Sequence, residues 1–297
     1  ILYSILNKQE SILAERVFAP AVDMEDLLRQ KSKTLGSLES QTPLHRFDIV
    51  GFSLLYELNY TNMLNMLDIG GIPLLAEERD ENHPLIIAGG PCMCNPEPVA
   101  AFFDAIVVGD GEAVILKMTE AWMKWHSSNK LAKKDLLIEW SMITGVYIPS
   151  FFEPSEETES SGYLIPKVEN YRTIERAVVA ELDDADFPLD PIVPYGKPIH
   201  DRMRMEIARG CTRGCRFCQA GMIYRPVRER NPRKVLDSIK KTLKGTGYED
   251  LSLLSLSTGD YSCVAALIEQ IMEFEQKDRL AVSLPSLRAG SLTPELM

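Results

Sequence analysis

Short continuous apolar runs alternate along this chain with stretches whose apolar residues recur at helical spacing. Phe47–Ser53 (FDIVGFS) and Pro84–Ala88 (PLIIA) are near-continuous apolar runs, as expected of parallel strands buried on both faces. Ala105–Val108 reads as a third strand. Asn59–Asp68 has helical spacing and is stopped by Gly70-Gly71, and Pro98–Phe103 reads as a further helix. Upstream, Ile1–Lys8 reads as the end of an amphipathic helix and Arg16–Ala19 as a short strand. Asp23 is expected to cap a helix to Gln30, with Glu25 and Asp26 in its first turn. Beyond the turn Gly109-Asp110-Gly111-Glu112, a long helix runs to about His126. Strands separated by helices predict right-handed crossovers and a doubly wound α/β sheet over residues 1–126. In such sheets, ligands lie beyond the carboxyl ends of the strands.

The pattern changes over residues 127–200. Lys130–Glu139 reads as a charged helix, Gly145–Ile148 as a strand, and Phe151–Gly162 as an acidic, serine-rich loop. Tyr163–Val168 and Arg176–Glu181 are strand-like, and Asp183–Pro198 is proline-rich with little periodicity, as in a linker. This stretch reads as a β-rich connector without chemistry of its own. From residue 201 to 297 strand and helix alternate again. Met203, Met205 and Ile207 alternate as a strand, Pro232–Lys244 is a helix stopped by Gly245 and Gly247, and Leu251–Leu256 is a strand. Cys263–Gln276 is a helix and Leu280–Leu284 a third strand.

Composition narrows the class. With 297 residues and 45% apolar content, the chain is long enough for two globular domains. It lacks an apolar run of the ~18 residues a membrane span needs, and no secretory signal is visible. Six cysteines, three of them close together, point to a reducing cytoplasm rather than a disulfide framework. Net charge is −11, yet residues 201–297 hold 16 Lys and Arg against 12 Asp and Glu. Ten basic and two acidic residues fall within 202–234. Such a collar either neutralises anionic groups nearby or steers an anionic partner or RNA.

The collar surrounds the densest chemistry. Cys211, Cys215 and Cys218 stand at C-x₃-C-x₂-C spacing directly after the Met203–Ile207 strand. Three thiolates can hold three corners of a 4Fe–4S cluster, leaving one iron open to bind substrate or cofactor. The alternatives are a zinc site and plain thiols. Zinc needs a fourth ligand, and His200 and Cys263, the nearby candidates, lack a zinc spacing. A redox pair Cys215–Cys218 leaves Cys211 unexplained.

The motif, with Phe217 before its last cysteine and Arg209-Gly210 ahead of it, resembles the signature of the radical S-adenosylmethionine (radical SAM) superfamily. The resemblance implies a 4Fe–4S cluster on Cys211, Cys215 and Cys218. It also implies S-adenosylmethionine on the open iron, and one-electron cleavage of its sulfonium to a 5′-deoxyadenosyl radical. A reductant such as flavodoxin or ferredoxin is expected. In that family a G-G-E-like turn after the second barrel strand binds the cofactor's amino group. Thr258, Gly259 and Asp260 occupy that place without spelling the motif, and Ser286 and Arg288, with Ser283, are expected to reach its ribose or carboxylate.

Ser53-Leu54-Leu55 after one strand and Gly89-Gly90 after the next are similar to the S-x-L and G-G motifs of cobalamin-binding domains. Gly109-Asp110-Gly111-Glu112 resembles the last turn of such domains. The resemblance implies that Ser53, Leu55, Gly89 and Gly90 line the cobalamin tail. The family's D-x-H-x-x-G loop is not present, and His45, His83 and His126 read as surface or loop histidines. Cys92 and Cys94 read as loop thiols near that face.

The expected architecture is α/β: a doubly wound (flavodoxin-like, cobalamin-binding-type) domain at 1–126, a connector at 127–200, and a truncated TIM-like radical SAM partial barrel at 201–297. The first strand of the one and the later strands of the other are expected outside the sequence. The expected activity is a radical SAM reaction, with cobalamin-dependent methyl transfer its most concrete form. Two alternatives stand beside it: a tRNA- or protein-modifying radical enzyme with a vestigial cobalamin domain, and a non-enzymatic iron–sulfur or cobalamin module for sensing or electron transfer.

Overall fold

The computed structural model describes residues 1–128, 132–155, 163–196, 198–275, 280–288 and 290–291. Lys130, Gln276 and much of the expected acidic loop lie outside them. The chain divides into two compact units, Leu2–Val178 and Val179–Met297. The stretch 127–200 is therefore shared, its first part belonging to one unit and its proline-rich part to the other.

The first unit runs α1 (Leu2–Asn7), α2 (Val22–Gln30), β1 (Ile49–Ser53), α3 (Asn59–Ile69), β2 (Leu85–Gly89), β3 (Ala105–Val107), α4 (Glu112–Ser127), α5 (Lys133–Ser141), β4 (Val146–Tyr147), β5 (Phe152–Pro154) and β6 (Leu164–Pro166). Strands β1, β2 and β3 are parallel neighbours, and β4 joins β3 antiparallel. Successive side chains on a strand face opposite ways, so each face of this sheet requires its own cover. On one face Val50, Phe52, Ile86, Ala88 and Ile106 pack with Met63 and Leu67 of α3. On the other, Leu85, Ile87, Ala105 and Val107 pack with Val114 and Met118 of α4 and Trp140 of α5. That two-sided burial explains why β2 reads as an unbroken apolar run.

Three expectations for this unit need correction. Arg16–Ala19 is not a strand: the Arg16 carbonyl accepts from Leu38 N at 2.8 Å, and Arg16 N and Nε donate to the Glu39 carboxylate. Its partners are thus a loop rather than a neighbouring strand. Asp23 lies inside α2, where its Oδ1 accepts from Met24 N at 2.9 Å, and Ala21 is the N-cap. Of Arg176–Glu181, Ala177 alone makes a β contact, a single bridge to Gly109.

One buried polar cluster ties the sheet to its helices. Asp104 receives Arg79 Nη2 at 3.1 Å and Lys133 Nζ at 2.7 Å. It also accepts from Ile86 N at 2.7 Å. Arg79 and Asp104 side chains are 0% and 2% exposed, so each charge relies on the other for compensation.

The second unit runs β7 (Met203–Glu206), β8 (Ala208–Arg209), α6 (Ala220–Ile223), β9 (Arg228–Glu229), α7 (Pro232–Thr246), β10 (Asp250–Leu254), α8 (Val264–Glu275) and β11 (Ala281–Ser283). Strands β7, β10 and β11 form a parallel sheet in chain order. Helix α7 starts with the Asn231 side chain accepting from Arg233 N and with Pro232 in its first turn. It ends at Gly247, whose φ of 72° is the left-handed conformation that suits glycine. Met203, Met205, Leu251 and Leu253 face Val235 and Ile239 of α7 and Leu267 and Ile271 of α8. Helices thus cover one face of this sheet, as in the outer layer of a barrel. Among the described residues no helix is long and apolar enough to cross a membrane.

Candidate functional site

The cysteine loop hangs from the carboxyl end of β7. Its base is closed by the antiparallel β8–β9 pair and by Arg230 N donating to Ile207 O at 2.8 Å. Gly210, with φ of 93°, begins the loop, and a Cβ there would come within 2.4 Å of Pro226 O. A side chain at this position is excluded by the Tyr224 and Pro226 backbone ahead of β9, so the glycine follows from the loop's own closure.

Much of the basic collar holds this loop in shape. Arg209 and Arg230 both reach Glu206, at 3.0 Å from Nε and 3.3 Å from Nη2 respectively. Arg225 Nε donates to Gly221 O at 2.8 Å, and Arg228 Nη1 to Val179 O at 2.9 Å. These arginines, which the sequence left between two readings, clamp backbone and a strand-end carboxylate.

Cys211, Cys215 and Cys218 are all free, Cys215 exposed and the others partly so. The Arg213 N–H donates to Cys211 Sγ at 3.5 Å. Among the described residues no group of three or more His, Cys, Asp or Glu side chains is gathered as a metal site. The donor set nevertheless fits a cluster chemically: three thiols on one glycine-flanked loop, none in a disulfide.

The turn after β10 meets this loop at the same sheet end. Thr258 is fully buried and donates its hydroxyl to Pro285 O at 2.6 Å. That bond ties the turn to the segment after β11. A Cβ on Gly259 would meet Ser291 Oγ at 2.7 Å, so this segment lies directly against it. Asp260 receives Arg213 Nε at 2.6 Å, a second contact from Arg213 Nη2, and Ser257 Oγ at 2.6 Å. Arg213 first and Ser257 second hold its carboxyl down to about 2, and the charge of Arg288 acts in the same direction. Ser286 has a φ of 61° and lies between Pro285 and Arg288 in the same segment. The structure therefore gathers Thr258, Gly259, Asp260, Ser286 and Arg288 around one turn. Sequence reasoning missed Arg213, because no local pattern joins it to Asp260, 47 residues away.

In the first unit the two glycine and serine motifs become neighbours. Ser53 pairs with Gly89 in the β1–β2 register, and Leu54 N donates to Gly89 O at 2.8 Å. Gly90 has φ of 112° and packs against the Leu54 backbone. Beside them Leu55, Tyr56 and Leu58 are 66%, 53% and 76% exposed, an apolar surface at the carboxyl end of a parallel sheet. Cys92 is buried below, and burial pushes its thiol up. The third turn differs: a Cβ on Gly109 would lie 2.1 Å from Ala177 O, so this glycine makes room for the chain's own residues 176–177.

Comparison with known proteins places the chain by family and fold. Residues 1–149 match the family described as radical SAM proteins, N-terminal. Uncharacterized protein MJ0966 of Methanocaldococcus jannaschii is 27% identical over 265 residues, 88% of this chain and 49% of that protein. Two structures of the radical S-adenosylmethionine methyltransferase TsrM from Kitasatospora setae share the fold. One, with cobalamin and a 4Fe–4S cluster bound, is 12% identical with a TM-score of 0.53. The other, with tryptophan substrate and the analogue aza-SAM, is 14% identical with a TM-score of 0.51. Each similarity covers 95% of this chain and 50% of TsrM. The chain spans about half the length of the relatives it matches. It belongs to the radical SAM protein N-terminal family.

Proposed function

We propose that this radical SAM family member is part of an enzyme that initiates a radical reaction from S-adenosylmethionine, with cobalamin-dependent methyl transfer to an unactivated carbon as its task. The observation that carries the reading is the meeting of the Cys211–Cys218 loop and the Ser257–Asp260 turn at one end of the β7–β10–β11 sheet. Cys211, Cys215 and Cys218 would hold a 4Fe–4S cluster, and Asp260 would accept the ammonium of the cofactor. When bound, cluster and cofactor together supply one-electron cleavage of the sulfonium, and methylcobalamin supplies the methyl group.

The chain's own work is binding and positioning. Gly259 brings backbone within reach of the cofactor, and Ser286 and Arg288 offer donors for its ribose or carboxylate. Ser53, Gly89 and Gly90 leave a side-chain-poor surface for a flat ring, with Leu55 exposed beside it to cover that ring from water. A flavodoxin- or ferredoxin-type reductant would deliver the electron.

The test is anaerobic reconstitution of the full-length protein, chemical reduction, and assay of 5′-deoxyadenosine beside Cys215→Ala, with retained cobalamin read from its absorption. Formation of 5′-deoxyadenosine that disappears in the variant is expected. An intact cluster with no turnover across candidate substrates would reject the reading, and cobalamin-free protein that still turns over would remove the methyl-transfer part.

A further inference from the structure

The carboxylate best placed for the cofactor's ammonium is already engaged. Arg213, between two of the cysteines, sets two guanidinium nitrogens on the two oxygens of Asp260, with Nε at 2.6 Å. Ser257 Oγ takes a further site on Oδ2 at 2.6 Å. The Arg213 and Asp260 side chains are 46% and 28% exposed, so the pair sits where solutes reach it. A planar two-pronged contact of this kind saturates the lone pairs facing the donor. Three of the carboxylate's roughly four acceptor sites are taken, so an ammonium arriving from solution meets the one left on Oδ1 with the guanidinium charge beside it.

We propose that Arg213 is an internal competitor for the cofactor's ammonium: it pins the cysteine loop to the turn after β10 and yields Asp260 when S-adenosylmethionine binds. The inference rests on the function proposed above. It gives the loop two fastenings, one from within the chain and one through the cofactor, and makes Arg213 a positioning residue. The neighbouring arginines do not share this role, because Arg209, Arg225, Arg228 and Arg230 all bond to groups at the base of the loop. Arg288 adds positive charge near Asp260 but leaves its carboxylate to Arg213 and Ser257.

The prediction concerns a ratio of affinities. S-adenosylhomocysteine carries the ammonium; methylthioadenosine keeps the adenosine and the sulfur without it. In full-length protein with its cluster loaded, Arg213→Gln should bind S-adenosylhomocysteine about two- to fivefold tighter, the range an exposed ion pair supports, with methylthioadenosine unchanged. Arg213→Lys, which keeps the charge but loses the fork, should lie between, and it carries the test if the glutamine variant loads no cluster. Asp260→Asn should erase the preference for the ammonium-bearing ligand. A ratio unchanged in the Arg213 variants, or both ligands weakened equally, would overturn the proposal. Failure of the wild-type protein to bind either nucleoside would instead reject the function on which it rests.

Discussion

Gly90 lies against Leu54 so closely that a Cβ there would stand 2.5 Å from the Leu54 carbonyl oxygen, whereas one on Gly89 would meet nothing nearer than Val107 Cβ at 3.8 Å. The two adjacent glycines therefore have different reasons to be glycine. Gly90→Ala combines that overlap with a φ of 112° and should cost about 1–3 kcal/mol in urea unfolding. Gly89→Ala should stay within about 0.5 kcal/mol of wild type. If cobalamin lies on this surface, Gly89→Ala loses it without losing stability, read by absorption of the purified protein. Full retention in Gly89→Ala would move the ligand elsewhere.

In the Arg79–Asp104–Lys133 cluster the Arg79 and Asp104 side chains are buried away from solvent. Asp104→Ala should destabilise by about 3–5 kcal/mol, because it strands Arg79 in the interior. Lys133→Met should cost less, its side chain being 20% exposed. Equal losses in the two variants would contradict a division set by burial.

Asp260 should titrate near 2 in the folded protein, below the usual aspartate value of about 4. A depressed carboxyl stabilises the fold fully above its unfolded pKa. That contribution disappears as pH falls from about 4 through about 2. Carboxyl chemical shifts should report this midpoint, and in Arg213→Gln it should rise toward the ordinary value. An unmoved midpoint would mean the ion pair does not form in solution.

Thiol accessibility separates two kinds of cysteine. Cys215 is exposed, whereas Cys92 is buried with its thiol pushed up by burial. In cluster-free protein, iodoacetamide at neutral pH should label Cys215 first and Cys92 only on unfolding, as seen by peptide mass spectrometry. Loading the cluster should protect Cys211, Cys215 and Cys218 together. Protection of fewer than all three would argue against a three-thiolate site.

Legibility followed the range of the interactions involved. β2 was readable because both its faces are buried, and α7 because Asn231, Pro232 and Gly247 mark its ends locally. The cysteine spacing and the strand-end glycines were readable for the same reason. What pairs with what was not. Val17 packs against the core, which gave Arg16–Ala19 its strand-like look, yet the backbone there bonds a loop. Apolar spacing announced β4 but is blind to direction, and β4 runs antiparallel. Arg213 and Asp260 are 47 residues apart, beyond any local pattern.

The bridge from Ala177 to Gly109 has a consequence for traffic at the first sheet. Ala177 N donates to Val108 O at 2.9 Å, Asp110 N donates to Ala177 O at 2.9 Å, and a Cβ on Gly145 would touch the Ala177 methyl at 2.5 Å. One residue thus closes the exit of β3 with the chain's own backbone. Any ligand proposed for this sheet therefore has to be sought beside Ser53 and Gly89, where Leu55, Tyr56 and Leu58 stand exposed, rather than over β3.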